Sequence, residues 1–134
     1  MAIKDISTIV HGAGIGQIQA ASATQSMIEG ALLGSYRFDK YKSNRKDDTT
    51  ISDITIIESD EEKIEGIRDG VNKGVIIAES TNLCRDMVNE PANVMTPSRM
   101  AEVAREVSTE NGIELDILDL GAIRELGMGA FLGV

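Results

Sequence analysis

His11 and Cys84 are the only imidazole and the only thiol in this sequence of 134 residues. A zinc site needs further nitrogen or sulfur ligands, and a serine-type triad needs a base that a third group orients. His11 has no second His and no nearby Cys for either arrangement. Cys84 stands beside Arg85, and an adjacent cation can lower a thiol pKa. Nucleophilic use would also need a base close in space, so a packed core thiol is the simpler reading. The stretch Gly12-Ala13-Gly14-Ile15-Gly16 has the composition of a loop whose backbone amides cradle an anion. Its G-x-G-x-G spacing fits neither a P-loop nor a dinucleotide fingerprint, and no Gly-Lys-Ser or Gly-Lys-Thr follows. A flexible helix entry is the expectation there.

The charged residues narrow the classes further. Thirteen Lys and Arg against 22 Asp and Glu leave a net charge of −9, and no basic patch of the kind that tracks phosphates is concentrated anywhere. Arg37, Lys40, Lys42, Arg45 and Lys46 come nearest, but Asp39, Asp47 and Asp48 dilute them into a solvated helix end and loop. The expected partners therefore include no nucleic acid. The acidic residues spread over helix surfaces, where solvation explains them. From composition and spacing alone, no catalytic, metal-binding or cofactor-binding residue is assigned.

The elements that would have to position any site follow from apolar periodicity. Hydrophobic content of 42% and charged content of 26% are those of a globular chain, and no apolar run reaches bilayer-spanning length. Met1 to Ile6 lacks the basic segment and apolar run of a signal peptide, and one Cys excludes an internal disulfide; a cytoplasmic protein is expected. A first helix is predicted from about Ile15 to Tyr41, with Ile28, Leu32 and Tyr36 on one face. Gly30 and Gly34 would let a neighbouring element approach that helix. A polar loop over Ser43 to Thr50 leads to a strand over Ile51 to Glu58. Ser59-Asp60-Glu61-Glu62 has the form of a capping box. The helix that it starts carries Ile64, Ile67, Val71, Val75, Ala78, Leu83 and Met87, and can run to Asn89 before Pro91 stops it.

Such a helix would be about 45 Å long, with Gly66, Gly70 and Gly74 striping one face. It either packs tightly through that smooth side or leaves one domain and enters another. Thr96-Pro97 opens the next helix, which Asn111-Gly112 closes. Ile113 to Ile117 alternates strictly and predicts a strand, Asp119 caps a short helix through Leu126, and Ala130 to Val134 reads as another strand opening. The order defines an α/β chain with parallel strand pairing. Only 3% of residues are aromatic, and the sequence stops inside an apolar run. Both suggest that part of the core lies in sequence beyond these residues.

Three runs carry a family resemblance. Asn82-Leu83-Cys84-Arg85-Asp86-Met87-Val88-Asn89-Glu90-Pro91-Ala92-Asn93-Val94-Met95-Thr96-Pro97 resembles the N-L-x-R-D-L-x-N-x-P-x-N-x-x-x-P run of leucyl (cytosol) aminopeptidases. Glu29 to Lys42 resembles the family's E-G-x-x-L-G-x-Y-x-F-x-x-Y-K segment, and Glu125 to Val134 its E-L-G-M-G-x-x-L-x-V stretch. The runs occur in the family's order over about Glu29 to Val134, whereas residues before about Gln25 match less clearly. The resemblance implies incomplete α/β layers from two domains. Residues 1–59 would be the last part of the N-terminal domain, 60–90 the interdomain helix, and 91–134 the opening of the catalytic domain.

It also implies a metallo-exopeptidase family that removes N-terminal residues with two divalent metals, zinc or manganese, usually as a hexamer. The family's metal-binding lysine and aspartates, its N-T-D-A-E-G-R signature and its catalytic arginine have no counterparts in this sequence. Three expectations result. The leading one is an aminopeptidase-like fragment that is inactive by itself. The second is an oligomerisation or binding module that joins itself or the remainder of the enzyme, and the third a small anion- or nucleotide-binding α/β domain.

Overall fold

The computed structural model describes residues 4–43 and 51–133. They form β1 (Asp5–Thr8), α1 (Ala20–Ser35), β2 (Asp53–Ile56), α2 (Glu61–Asn89), α3 (Pro97–Asn111), α4 (Leu120–Glu125) and α5 (Gly129–Leu132). The chain divides into two compact units, residues 1–89 and 90–134.

In the first unit β1 and β2 pair in parallel, with Ile6 beside Ile54 and Thr8 beside Ile56. Parallel neighbours need a crossover, and α1 lies within it. The α/β class and the parallel pairing expected from the sequence are both present. Alternation places Ile6, Thr8, Ile54 and Ile56 on the half-buried side, while Asp5, Ser7, Asp53 and Thr55 face outward. Val10, Ala23 and Ile67 form the core, with Ala20, Ile56 and Val71 packed against it. The β1 strand was not among the sequence expectations, because so few residues show its alternation.

The α1–α2 contact organises this unit. A Cβ on Gly70 would collide with the Ala21 carbonyl oxygen and come within 2.8 Å of Thr24 Cβ. One on Gly74 would meet Ile28 Cβ at 2.9 Å and the Gln25 carbonyl oxygen at 3.0 Å. The glycine stripe thus lets the α2 backbone lie directly on α1, a contact that dispersion rewards because no gap is left. Gly30 and Gly34 do not serve the purpose expected of them, since a Cβ on either meets nothing within 4 Å.

Several boundaries differ from expectation. The first helix begins only at Ala20, because Gly12, Gly14, Gly16 and Gln17 all take positive φ and turn the chain. It ends at Ser35, where Tyr36 turns extended. The second strand is shorter than the 51–58 prediction, although the Ser52 amide donates to the Lys4 carbonyl and the Ile57 amide to the Thr8 carbonyl. The loop predicted over Ser43 to Thr50 lies outside the described residues from position 44 onward.

The capping box is replaced by another solution at the start of α2. Asp60 Oδ1 accepts from the Glu62 amide at 3.1 Å, while Glu58 Oε1 accepts from the Ser59 and Asp60 amides. A carboxylate is the stronger acceptor near a helix N-terminus, so Asp60 takes the place assigned to Ser59. The backbone amides of Asp60 and Ser59 lower the Glu58 pKa, and the Lys63 ammonium, followed by the Glu62 amide, lowers that of Asp60.

The second unit opens as the sequence indicates. Thr96 Oγ1 accepts from the Arg99 amide, Pro97 occupies the first turn of α3, and Gly112 closes it at φ 64°. Asp119 caps α4 by accepting from the Ala122 amide at 2.9 Å, and Gly127 at φ 65° follows its end. Two strand predictions fail. Residues 113–119 form no strand, because period-2 patterning supplies a face and no partner. In the last run, Gly129 to Leu132 closes into the short helix α5.

The glycines give a paired test. Gly70→Ala is expected to lower stability by about 2 kcal/mol or more through overpacking against α1. Gly30→Ala is expected to raise it by about 0.5–1 kcal/mol through helix propensity alone. Thermal unfolding of the two variants checks both signs; equal effects would refute the packing assignment.

Candidate functional site

Cys84 is exposed on α2, so the packed-thiol reading is corrected. Helical geometry turns its side chain away from the face that α1 covers. His11 Nε2 lies 3.2 Å from Thr8 Oγ1 in an exposed pair. Among the described residues, no group of three or more His, Cys, Asp and Glu could hold a metal ion. The divalent metals implied by the family resemblance therefore find no fitting donor set among the described residues.

The glycine loop is a set of tight turns. Its Gly14 amide donates to the Ile18 carbonyl, the Ile15 amide to the Gly12 carbonyl, and the Ile18 amide to the Ile15 carbonyl. The Gly14 and Ile15 amides are thus committed within the loop and are not free to hold an anion. Beyond α1, Asp39 pairs with Lys42, and Lys40 lies 5.6 Å from the Tyr41 ring centroid. Lys40 and Lys42 are thus engaged locally.

The polar constellation that the structure does assemble joins the end of α1 to the last turns of α2. An Arg85 guanidinium nitrogen donates to the Leu33 carbonyl at 3.0 Å and to Asn82 Oδ1 at 3.3 Å. Asn82 Nδ2 donates to the Leu32 carbonyl at 3.5 Å. These carbonyls belong to the last turn of α1, whose acceptors lack the backbone donors of the helix interior (the Ser35 hydroxyl also donates to Leu32), and a cation there meets the negative end of the helix dipole. The same guanidinium lies 5.4 Å from the Tyr36 ring centroid. The Tyr36 hydroxyl donates to Asp86 Oδ1 at 2.7 Å and accepts from Asn89 Nδ2 at 3.1 Å.

Asn82, Arg85, Asp86 and Asn89 follow i, i+3, i+4, i+7 spacing and so share one face of α2. Reading the sequence had placed Tyr36 on an apolar helix face. Its partnership with α2 was missed, although both halves lie in runs that carry the family resemblance. Their chemistry is fastening: no member is a nucleophile, and the acceptors and donors satisfy one another. Desolvation raises the Tyr36 pKa above its usual 10.0, and the hydrogen bond to the Asp86 carboxylate adds to the rise. The phenol therefore stays a donor throughout the neutral range.

The architecture defines a class first: an α/β chain in which a βαβ unit leads through a long helix into a second unit. Residues 82–134 match the profile of the cytosol aminopeptidase family, catalytic domain. A probable cytosol aminopeptidase of Solibacter usitatus (strain Ellin6076) is 39% identical over 132 residues, covering 98% of this chain and 26% of that protein. One of Persephonella marina (strain DSM 14350 / EX-H1) is 42% identical over 113 residues, covering 84% and 22%. Among solved structures, the bottromycin maturation enzyme BotP aligns with a TM-score of 0.75 and 28% identity, over 92% of this chain and 25% of that one. BotP in complex with Mn aligns with a TM-score of 0.66 and 29% identity, over 83% and 22%. The chain belongs to the cytosol aminopeptidase family, and it spans about a quarter of the length of these relatives.

The clamp has a pH signature. Because the folded Tyr36 pKa is raised, its stabilisation is complete below the ordinary tyrosine value and is lost as pH rises through the folded one. Tyr36→Phe is expected to flatten the alkaline fall in stability above about pH 10. Arg85→Lys is expected to destabilise by about 1–2 kcal/mol, since an ammonium loses the contact that the planar guanidinium makes with the Tyr36 ring and holds the Leu33 carbonyl less well. Chemical denaturation across the alkaline range checks both, and an unchanged alkaline limb in Tyr36→Phe would contradict the role given to the phenol.

Proposed function

We propose that this chain is the connecting and opening part of a leucyl aminopeptidase-like two-metal exopeptidase, and that by itself it does not hydrolyse peptides. The carrying observation is the use of Asn82, Arg85, Asp86 and Asn89. The run most diagnostic of the family holds two helices together, and its side chains are spent on that task. A two-metal site polarises the scissile carbonyl and supplies a hydroxide nucleophile, which requires several converging ligands. The described residues supply no such cluster. For the parent enzyme, the reading implies removal of N-terminal residues from peptides with zinc or manganese, in the cytoplasm. The relatives' name, cytosol aminopeptidase, supports the activity and the compartment, and the Mn in one BotP complex supports the metal class. No helix among the described residues is long and apolar enough to cross a membrane.

A second reading, a non-catalytic assembly module, is favoured by one feature of α2. The face opposite α1 changes character along its length, from Glu65, Asp69 and Lys73 to Ile76, Leu83 and Met87. Ile76 is 64% exposed and Leu83 38%, exposed apolar side chains on one face of the kind that a partner covers. Association with itself or with the remainder of the enzyme would cover it.

A leucine anilide assay of the pure chain with added manganese or zinc is expected to show no turnover above buffer. Turnover that tracks the protein through purification would overturn the inactive reading. Light scattering is expected to give a mass above that of the 14.4 kDa monomer if the assembly reading is right; a monomer at all concentrations would count against self-association.

A further inference from the structure

We infer that Asn111 and Gly112 form a site of spontaneous deamidation, held shut by the C-terminal cap of α3 and left unable to close once it has reacted. The inference concerns the covalent chemistry of this chain and stands apart from the aminopeptidase reading.

Asparagine is thermolabile because the next backbone nitrogen can attack its side-chain carbonyl carbon. Six asparagines occur in the sequence, and only Asn111 precedes glycine. Lys73, Leu83, Glu90 and Val94 follow others, and each places a side chain beside the nitrogen that must approach. Gly112 has no Cβ to obstruct ring closure. Asn111 and Gly112 are both exposed, which admits the water that the second step consumes.

No cofactor is needed. The Gly112 nitrogen bonds to Asn111 Cγ, and the Cγ–Nδ2 bond breaks. The Gly112 amide proton leaves with Nδ2 as ammonia, and a five-membered succinimide remains. Water then opens the ring at either carbonyl. One opening yields aspartate, and the other yields isoaspartate, in which the main chain passes through Cβ and Cγ.

The folded geometry opposes the first step. The nucleophile is engaged, because the Gly112 amide donates to the Ser108 carbonyl. The leaving group is engaged too, since Asn111 Nδ2 donates to the Val107 carbonyl at 2.8 Å. The Ile113 amide also donates to the Ser108 carbonyl, and the Ser108 hydroxyl donates to the Ile113 carbonyl, so the residue after Gly112 is tied to the helix as well. Reaction therefore waits for the last turn to open, and helix ends open more readily than a whole fold does. The product then keeps it open. A carboxylate at position 111 has no proton to offer the Val107 carbonyl, and it stands at the negative end of the helix dipole. The cap that slows the reaction is lost by it, which makes the end of α3 a one-way latch.

Peptide mapping by mass spectrometry tests this on the intact chain incubated at neutral pH. The mass gain of an amide becoming an acid is expected at Asn111 ahead of Asn72, Asn82, Asn89 and Asn93. In urea the same site is expected to react at least about tenfold faster than in the folded chain. Ser108→Ala, which removes the hydroxyl tie, is expected to speed the folded chain about two- to tenfold and to leave the rate in urea unchanged. In Asn111→Asp, a stand-in for the product, the Gly112 and Ile113 amides are expected to exchange hydrogen about two- to fivefold faster than in the unaltered chain. Reaction at Asn111 no faster than at those four, equal rates folded and in urea, a Ser108→Ala chain that reacts like the original, or unchanged exchange in Asn111→Asp would each overturn it.

Discussion

The close approach of α1 and α2 is the constraint on which the first unit depends. With glycine at positions 70 and 74, the helix backbones meet where side chains would otherwise hold them apart. This proximity buries Ala23, Thr24 and Ile28 from one side and Ile67 and Ala78 from the other. It also places the last carbonyls of α1 within reach of Asn82 and Arg85. Without the glycine contact, neither the core nor the polar clamp would have its geometry. The contact has a cost: Thr24 is fully buried, and its hydroxyl has no hydrogen-bond partner. An unpaired buried hydroxyl is worth about 1–3 kcal/mol of penalty, so the gain in close packing must exceed it.

The clamp and the glycine stripe divide the work along one helix. The stripe acts over the first half of α2 through dispersion, which is insensitive to pH and salt. The clamp acts over the last turns through charge-assisted hydrogen bonds and one phenol, which set the direction in which the α1 end is held. A helix of 29 residues draws most of its stability in a folded protein from the packing of one face rather than from propensity. Docking at both ends supplies what propensity lacks.

Much of this was legible, and the reasons differ by element. The α3 boundaries rest on local chemistry, with Thr96 and Pro97 at one end and Gly112 at the other, so they follow from neighbouring residues alone. The long helix and its glycine stripe were visible because period 3.6 accumulates over many residues. The α1 start was misplaced because glycine in a helical pattern and glycine in a left-handed turn look alike until φ is known. Gly70 and Gly30 carry the same lesson: both are helical glycines, but only one has a neighbour, and no local pattern distinguishes them. The capping residue of α2 was misassigned by one position because Ser59 and Asp60 both have side chains suited to the task.

The strand predictions expose a deeper asymmetry between the two kinds of secondary structure. A helix satisfies its backbone internally, so its sequence contains most of what decides whether it forms. A strand satisfies its backbone through a neighbour, and alternation states only which side would be buried. Asp53 to Ile56 became a strand because β1 lies beside it in register, although β1 has the weaker pattern of the two. Ile113 to Ile117 has stricter alternation and forms no strand, so pattern strength did not decide the outcome. The polar run Asn82 to Asn89 belongs to the first kind. Its four interacting side chains fall at helical spacing, so their common face could be read directly, and what it grips was fixed only when α1 came within reach.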